Sequence, residues 1–290
     1  MKFISIFLSL FPFSVFAQQT TSINHAVIHA TMTVIAPEEE DASRVPSPGE
    51  QGMGFSMRNF GDGETQITTY IMDSMVKTIM KSDMGRTTII RNNAAKTTTT
   101  LIEVMGNKMG FVMTDAEQEL MKQQMDSLIK ARQEADTTHR FPPREKEERQ
   151  PAEIVYTGIS KRISGLDCKM AWVINTGFLG TKDSVAVWYA PSINLPNNQP
   201  ASSGNSFGGF SRMSNFTSLN GLNQLQGLAI KYEMKMRRGR TLQMEVTKVD
   251  LKKELTEKDF SVPKDFDVKP YSEFSQMFRG MPGMRMMPRQ

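Results

Sequence analysis

Between Leu228 and Leu251 the side chains change character at every second position. Ile230, Tyr232, Met234 and Met236 alternate with Lys231, Glu233, Lys235 and Arg237; beyond Arg238 and Gly239 the rhythm resumes with Leu242, Met244 and Val246 against Gln243, Glu245 and Thr247. Successive side chains of a strand point to opposite faces, so a period of two gives each segment one apolar and one wet face. With a glycine-bearing break between them, the two segments read as an antiparallel hairpin laid on something apolar. A hairpin cannot be stable alone, so further strands with a matching face have to exist elsewhere in the chain.

They are legible on both sides. Ala26, Ile28, Ala30, Met32 and Val34 are apolar in alternation with Val27, His29, Thr31 and Thr33, which predicts a first strand with His25 and His29 on its more polar face. Four residues apart on a strand, the two imidazoles stand roughly 13 Å from each other, too far to share a metal ion. Threonine- and isoleucine-rich runs follow at Gln66–Met72, Met75–Lys81, Arg86–Arg91, Lys96–Val104 and Lys108–Met113, punctuated by Ser82-Asp83, Asn92-Asn93 and Gly106-Asn107; they read as an antiparallel meander. The second half restarts with Glu153–Ser164. Next, Cys168, Met170, Trp172 and Ile174 alternate with Lys169, Ala171, Val173 and Asn175, and Val185, Val187 and Tyr189 follow before Pro191. Lys258–Pro263 ends the domain as a tucked coil.

One helix is announced between the halves. Thr114-Asp115-Ala116-Glu117 has the form of a capping box, in which the threonine hydroxyl and the glutamate carboxylate satisfy free backbone donors. Leu120, Met121, Met125, Leu128 and Ile129 then form an apolar stripe that is expected to pack on the sheet.

The remaining stretches break both periodicities. Residues 1–17 carry Lys2, a short apolar core and Val15-Phe16-Ala17, the grammar of a cleaved export signal, and the apolar run is shorter than the roughly 20 residues a membrane span needs. The expected mature domain, 18–270, holds a proline- and glycine-rich insertion at 37–63, a charged linker at 136–152 and an asparagine-, serine- and glycine-rich insertion at 192–227; a methionine-rich tail, 271–290, is expected to be disordered. A net charge of +4 spread along the chain argues against nucleic acid as a partner. Cys168 is the only cysteine, so no intramolecular disulfide can form even in an oxidising compartment.

Nothing in the spacing assembles a catalytic centre. No glycine loop, zincin helix or nucleophile elbow is present, and Cys168 has no histidine near it in sequence, which suits a small hydrophobe better than a nucleophile. The reading is of a protein that is not an enzyme and carries no cofactor.

Gly165-Leu166-Asp167-Cys168-Lys169, Val187-Trp188-Tyr189, Gly227-Leu228-Ala229-Ile230-Lys231-Tyr232 and Asp259-Phe260-Ser261-Val262-Pro263, in that order, resemble the exported bacterial family catalogued as domain of unknown function 4412. That resemblance implies a fold like the lipoprotein carriers LolA and LolB, an open antiparallel half-barrel whose hollow side holds a helix and accepts acyl chains. It implies no catalytic residues.

Together these features predict a mainly antiparallel β protein with one or two helices (α+β), monomeric, exported to the periplasm or beyond. Its expected role is to bind a lipid or other apolar molecule in a trough lined by Met121, Met125 and Leu128 from the helix and Met170, Trp172, Tyr232 and Met234 from the sheet. The 23 methionines suit such a lining because a flexible thioether repacks around varied shapes. Two alternatives follow from the same composition. Closely spaced methionines from Met277 to Met287 are soft ligands of the type that takes Cu(I), and the phenylalanine- and methionine-bearing loops suit an envelope scaffold or adhesion module with an unidentified protein partner.

Overall fold

The computed structural model describes residues 21–22, 24–36, 63–135, 152–176, 182–194, 222–236 and 239–279. In chain order the strands are β1 (Thr21–Ser22), β2 (His25–Ile35), β3 (Gly63–Met72), β4 (Met75–Ser82), β5 (Gly85–Asn92), β6 (Thr97–Val104) and β7 (Asn107–Thr114). Helix α1 (Asp115–Ala135) is followed by β8 (Glu153–Ile163), β9 (Leu166–Thr176), β10 (Lys182–Ala190), β11 (Ile193–Asn194), β12 (Leu228–Lys235), β13 (Thr241–Asp250), β14 (Asp267–Pro270) and helix α2 (Tyr271–Arg279). The expected export signal, most of the two insertions and of the linker, and the tail beyond Arg279 lie outside the described residues.

Twelve strands form one sheet in the order β14-β7-β6-β5-β4-β3-β2-β13-β12-β10-β9-β8. Its two ends are not joined, so the sheet is open. Every neighbour pair is antiparallel except β7 with β14, as expected for strands linked by hairpins. Two of those hairpins, β6–β7 through Met105-Gly106 and β8–β9 through Ser164-Gly165, carry positive φ at both central residues, the turn whose twist matches that of the flanking strands. β1 and β11 make a separate parallel pair. The expected class is what the chain adopts: mainly antiparallel β, open, with two helices.

The sheet consists of two meanders. β2 to β7 run consecutively, β8, β9, β10, β12 and β13 follow in turn, and the seam between them is β2 paired with β13, where Ala30 faces Val246 and Met32 faces Met244. Register carries side chains of one kind across that seam. Ala171, Val187, Tyr232, Met244, Met32 and Thr65 stand opposite one another on β9, β10, β12, β13, β2 and β3. The row beside it on the other face reads Met170, Trp188, Lys231, Glu245, Thr31 and Gln66. One face is therefore apolar across the seam and the other charged, as the alternation in Leu228–Leu251 requires.

The C-terminal residues serve both faces. Leu255, Phe260, Phe266 and Val268 pack against Met72, Ile90 and Leu101 on the polar side of the first meander, where Lys77 Nζ donates to the Asp259 carbonyl at 2.7 Å. Phe260 ends a short 3-10 turn, Glu257–Phe260, opened by Asp259 accepting from the Thr256 amide at 2.8 Å. On the apolar side α2 covers β7, with the Phe274 and Tyr271 rings 4.7 and 5.5 Å from that of Phe111. Residues 271–279, expected as the start of a disordered tail, are thus helical. Phe274 spaced three residues from Tyr271 gives this short segment an apolar side, and Phe111 and Met113 give it something to bury.

Candidate binding face

Tyr232 lies at the centre of the apolar face. It is 5% exposed and packs in one cluster with Met32, Val34, Val187, Tyr189 and Leu242, against which Met234, Met236 and Met244 are also placed. Burial alone pushes its phenol up to about 12, so at neutral pH it carries its proton. Among the described residues no side chain or carbonyl pairs with its hydroxyl. A buried hydroxyl without a partner is uncommon, because it forgoes the hydrogen bonds it makes in water.

Away from the seam the face stays free of charge for several strands. Val246, Ala30, Ile67, Met80, Thr87, Ile102 and Met109 stand in register from β13 to β7. From Ile67 onward these are half-buried side chains. Beyond Tyr189, the Tyr156 ring lies edge-on at 5.6 Å and its hydroxyl accepts from the Gln226 amide at 3.3 Å, which seats the segment carrying Leu222 and Leu225 on the cluster.

A charge does appear at the far end of the first meander, and it is met. Arg91 grips both carboxylate oxygens of Asp115, Nη2 to Oδ2 at 2.8 Å, and also reaches Thr98 Oγ1 at 3.2 Å and Asn93 Oδ1 at 2.8 Å. Asp115 is the first residue of α1, so this pair ties the helix to the side of the sheet that carries Tyr232. The capping box forms as expected, the Thr114 amide donating to Glu117 Oε2 at 2.8 Å and the Glu117 amide to Thr114 Oγ1 at 3.2 Å.

The structure divides the residues expected to line a trough. Tyr232 and Met234 share the apolar face. Met121 is half-buried against Phe111, Met113 and Phe274, at the edge where α2 also sits. Met170 and Trp172 are on the opposite face: Met170 is in the row with Lys231 and Glu245, and Trp172, paired with Ala186 and Val155, is 39% exposed. The face of β9 that joins Tyr232 is instead the one with Ala171 and Val173, both 0% exposed. Bulk misleads here, since the larger side chains of β9 point away from the cluster and the smaller ones into it. Met125 and Leu128 belong to α1, but their side chains lie outside the described residues. Leu120, expected on the buried stripe of that helix, is 56% exposed, and the sheet contact of α1 is with β7. Its stripe is therefore not laid along the sheet as expected; the anchoring comes from the first turn.

Met32, Met244 and Arg91 belong to this face and escaped the sequence-based list. For Met244 the signal was present, since it alternates with Tyr232's own hairpin; the pairing that brings Met32 beside it joins segments far apart in the chain. Cys168 is 1% exposed and packs with Ile28, Ala190 and Leu228, and burial pushes its thiol up, the environment of an unreactive core cysteine. His25 contacts Asp73 at 3.4 Å and His29 contacts Thr68 at 3.3 Å. Among the described residues no group of three metal-ligating side chains converges, and no helix is long and apolar enough to cross a membrane.

No family model matches the chain, so the resemblance to domain of unknown function 4412 stays a resemblance, and no curated protein matches it. Among solved structures it is similar to PNGF-II, at 13% identity and a TM-score of 0.36, over 88% of this chain and 33% of that one. The chain thus spans about a third of that protein. It is also similar to a LolA superfamily protein of Nitrosomonas europaea (8% identity, TM-score 0.29, 85% of this chain and 94% of that chain). A putative outer membrane lipoprotein-sorting protein domain of Vibrio parahaemolyticus matches at 8% identity and a TM-score of 0.18, over 82% and 89%. With every TM-score below 0.5, the assignment of an open antiparallel sheet rests on the strand pairing described above.

Proposed function

We propose that the protein is a non-catalytic binding protein of the cell envelope that holds a lipid or other apolar molecule on the face carrying Tyr232. The observation behind this reading is the register: six neighbouring strands bring Ala171, Val187, Tyr232, Met244, Met32 and Thr65 into one uncharged row. A methionine-rich face with one polar group set into it is the composition of a site for apolar ligands, where a few polar atoms fix orientation and flexible thioethers fit the chain. The export grammar of residues 1–17 supports an envelope location, and the LolA-like resemblance supports an acyl chain as the kind of ligand.

Native mass spectrometry of protein purified without harsh detergent tests the reading directly: a retained lipid mass is expected. After delipidation, a fluorescent acyl probe is expected to bind and to be displaced by natural lipid extract. Met80→Glu, on the half-buried part of the apolar face, should abolish probe binding, whereas Thr31→Glu on the opposite face should leave it intact. Equal loss in both variants, or no binding by the parent protein, removes the proposal.

A further inference from the structure

The methionines around Tyr232 account for affinity toward a hydrocarbon chain and leave the hydroxyl itself unexplained. Resting on the binding reading above, we propose that this hydroxyl is the polar subsite of the face, donating a hydrogen bond to an uncharged carbonyl, so that the protein selects acyl esters or amides over free fatty acids. Three features of the site carry the argument. Tyr232 is 5% exposed and has no hydrogen-bond partner among the described residues, so a ligand acceptor satisfies a group otherwise left dry. Its neighbours in the sheet, Val187 on β10 and Met244 on β13, and the adjoining Met32, Leu242 and Met234, are all uncharged. A carboxylate brought against them meets one neutral donor and no counter-charge, and an unpaired buried charge is far more costly than a buried ester. The phenol, raised by burial, keeps its proton through the range in which fatty acids are ionised, so it remains a donor.

The test titrates the delipidated full-length mature protein with methyl dodecanoate, with dodecanoate and with dodecane, at about pH 8.5, where the acid is ionised and an ordinary phenol is not. The ester is expected to bind about tenfold more tightly than either the carboxylate or the alkane, and Tyr232→Phe to bring the ester down to the level of the alkane. Because that variant alters a core position, a second measurement needs no substitution: the infrared band of an isotope-labelled ester carbonyl should move to lower frequency on binding than in hexane, as hydrogen bonding requires. If the alkane binds and the ester gains nothing over it, or the carboxylate binds as well as the ester, the polar subsite is wrong while the binding reading stands. If no probe binds, both fall.

Discussion

Arg91 stands in a row with Ala26, Ile71, Val76, Thr98 and Met113, and a guanidinium is tolerable there because its fork is filled. The bidentate contact with Asp115 is the geometry for which arginine is suited and lysine is not. The hydrogen bond from Arg91 holds the Asp115 carboxyl below its usual range, with burial opposing and the Arg91 and Lys96 charges assisting. A lowered folded-state value means stability that is fully present above the unfolded pKa of about 3.9 and lost as pH falls through the folded one. With the Asp115 side chain 40% exposed, solvent screening limits the contribution to about 1 kcal/mol or less. Asp115→Asn should therefore lower the urea midpoint modestly at neutral pH and leave it equal to that of the parent protein well below about pH 3. Arg91→Lys, keeping the charge and losing the fork, should fall between them.

At the scale of elements, two short segments hold positions that their length alone does not explain. α2 spans only Tyr271–Arg279, too short to persist in isolation, and depends on Phe274, 7% exposed, between Phe111 and Met113. Phe274→Ala should cost about 3 kcal/mol in urea denaturation and release the helix, read as loss of amide protection in 271–279. Gly227 opens β12 with φ +143, and a Cβ there would fall 2.4 Å from the Ala190 carbonyl oxygen and 2.8 Å from Pro191 Cα. Neither backbone can give way without parting β10 from β12, so Gly227→Ala should destabilise by roughly 3 kcal/mol, with protection lost first at Tyr189 and Ala190.

Elements were where the sequence spoke most clearly. The hairpin at Leu228–Leu251, the meander from Gln66 to Met113 and the Thr114–Glu117 cap are dictated by local patterns, and each forms where its pattern lies. Faces were harder. Tyr232 and Met234 could be placed because their strand has one wet side, whereas β9 is apolar on both, and only its register against Val185 and Val187 decides that Ala171 and Val173 turn inward. The anchoring of α1 was invisible for a related reason: Arg91 and Asp115 are each unremarkable in sequence, and the helix stripe suggested a broader contact than the first turn makes.

Across the whole molecule the decisive contact is the one joining the two meanders. β2 acquires its partner β3 from the residues that follow it, but its other neighbour, β13, comes from near the end of the chain. Strand pairs of such long sequence separation close slowly, since the loop entropy has to be met before any bond is gained. In pulse-labelled refolding, amides of β4–β6 should gain protection before those of β2 and β13, and Leu242→Ala, at a seam position 0% exposed, should speed unfolding more than it slows folding.

That seam also governs the life of the chain before it is finished. Until β13 has been synthesised, β2 presents an unclaimed edge lined by Ala30 and Met32, a template to which any other extended chain can add itself. Transport in an unfolded form, with both halves delivered together, keeps the nascent protein from meeting its own copies by that edge. A protein of this topology is thus better served by folding after it has crossed a membrane than while it is being made.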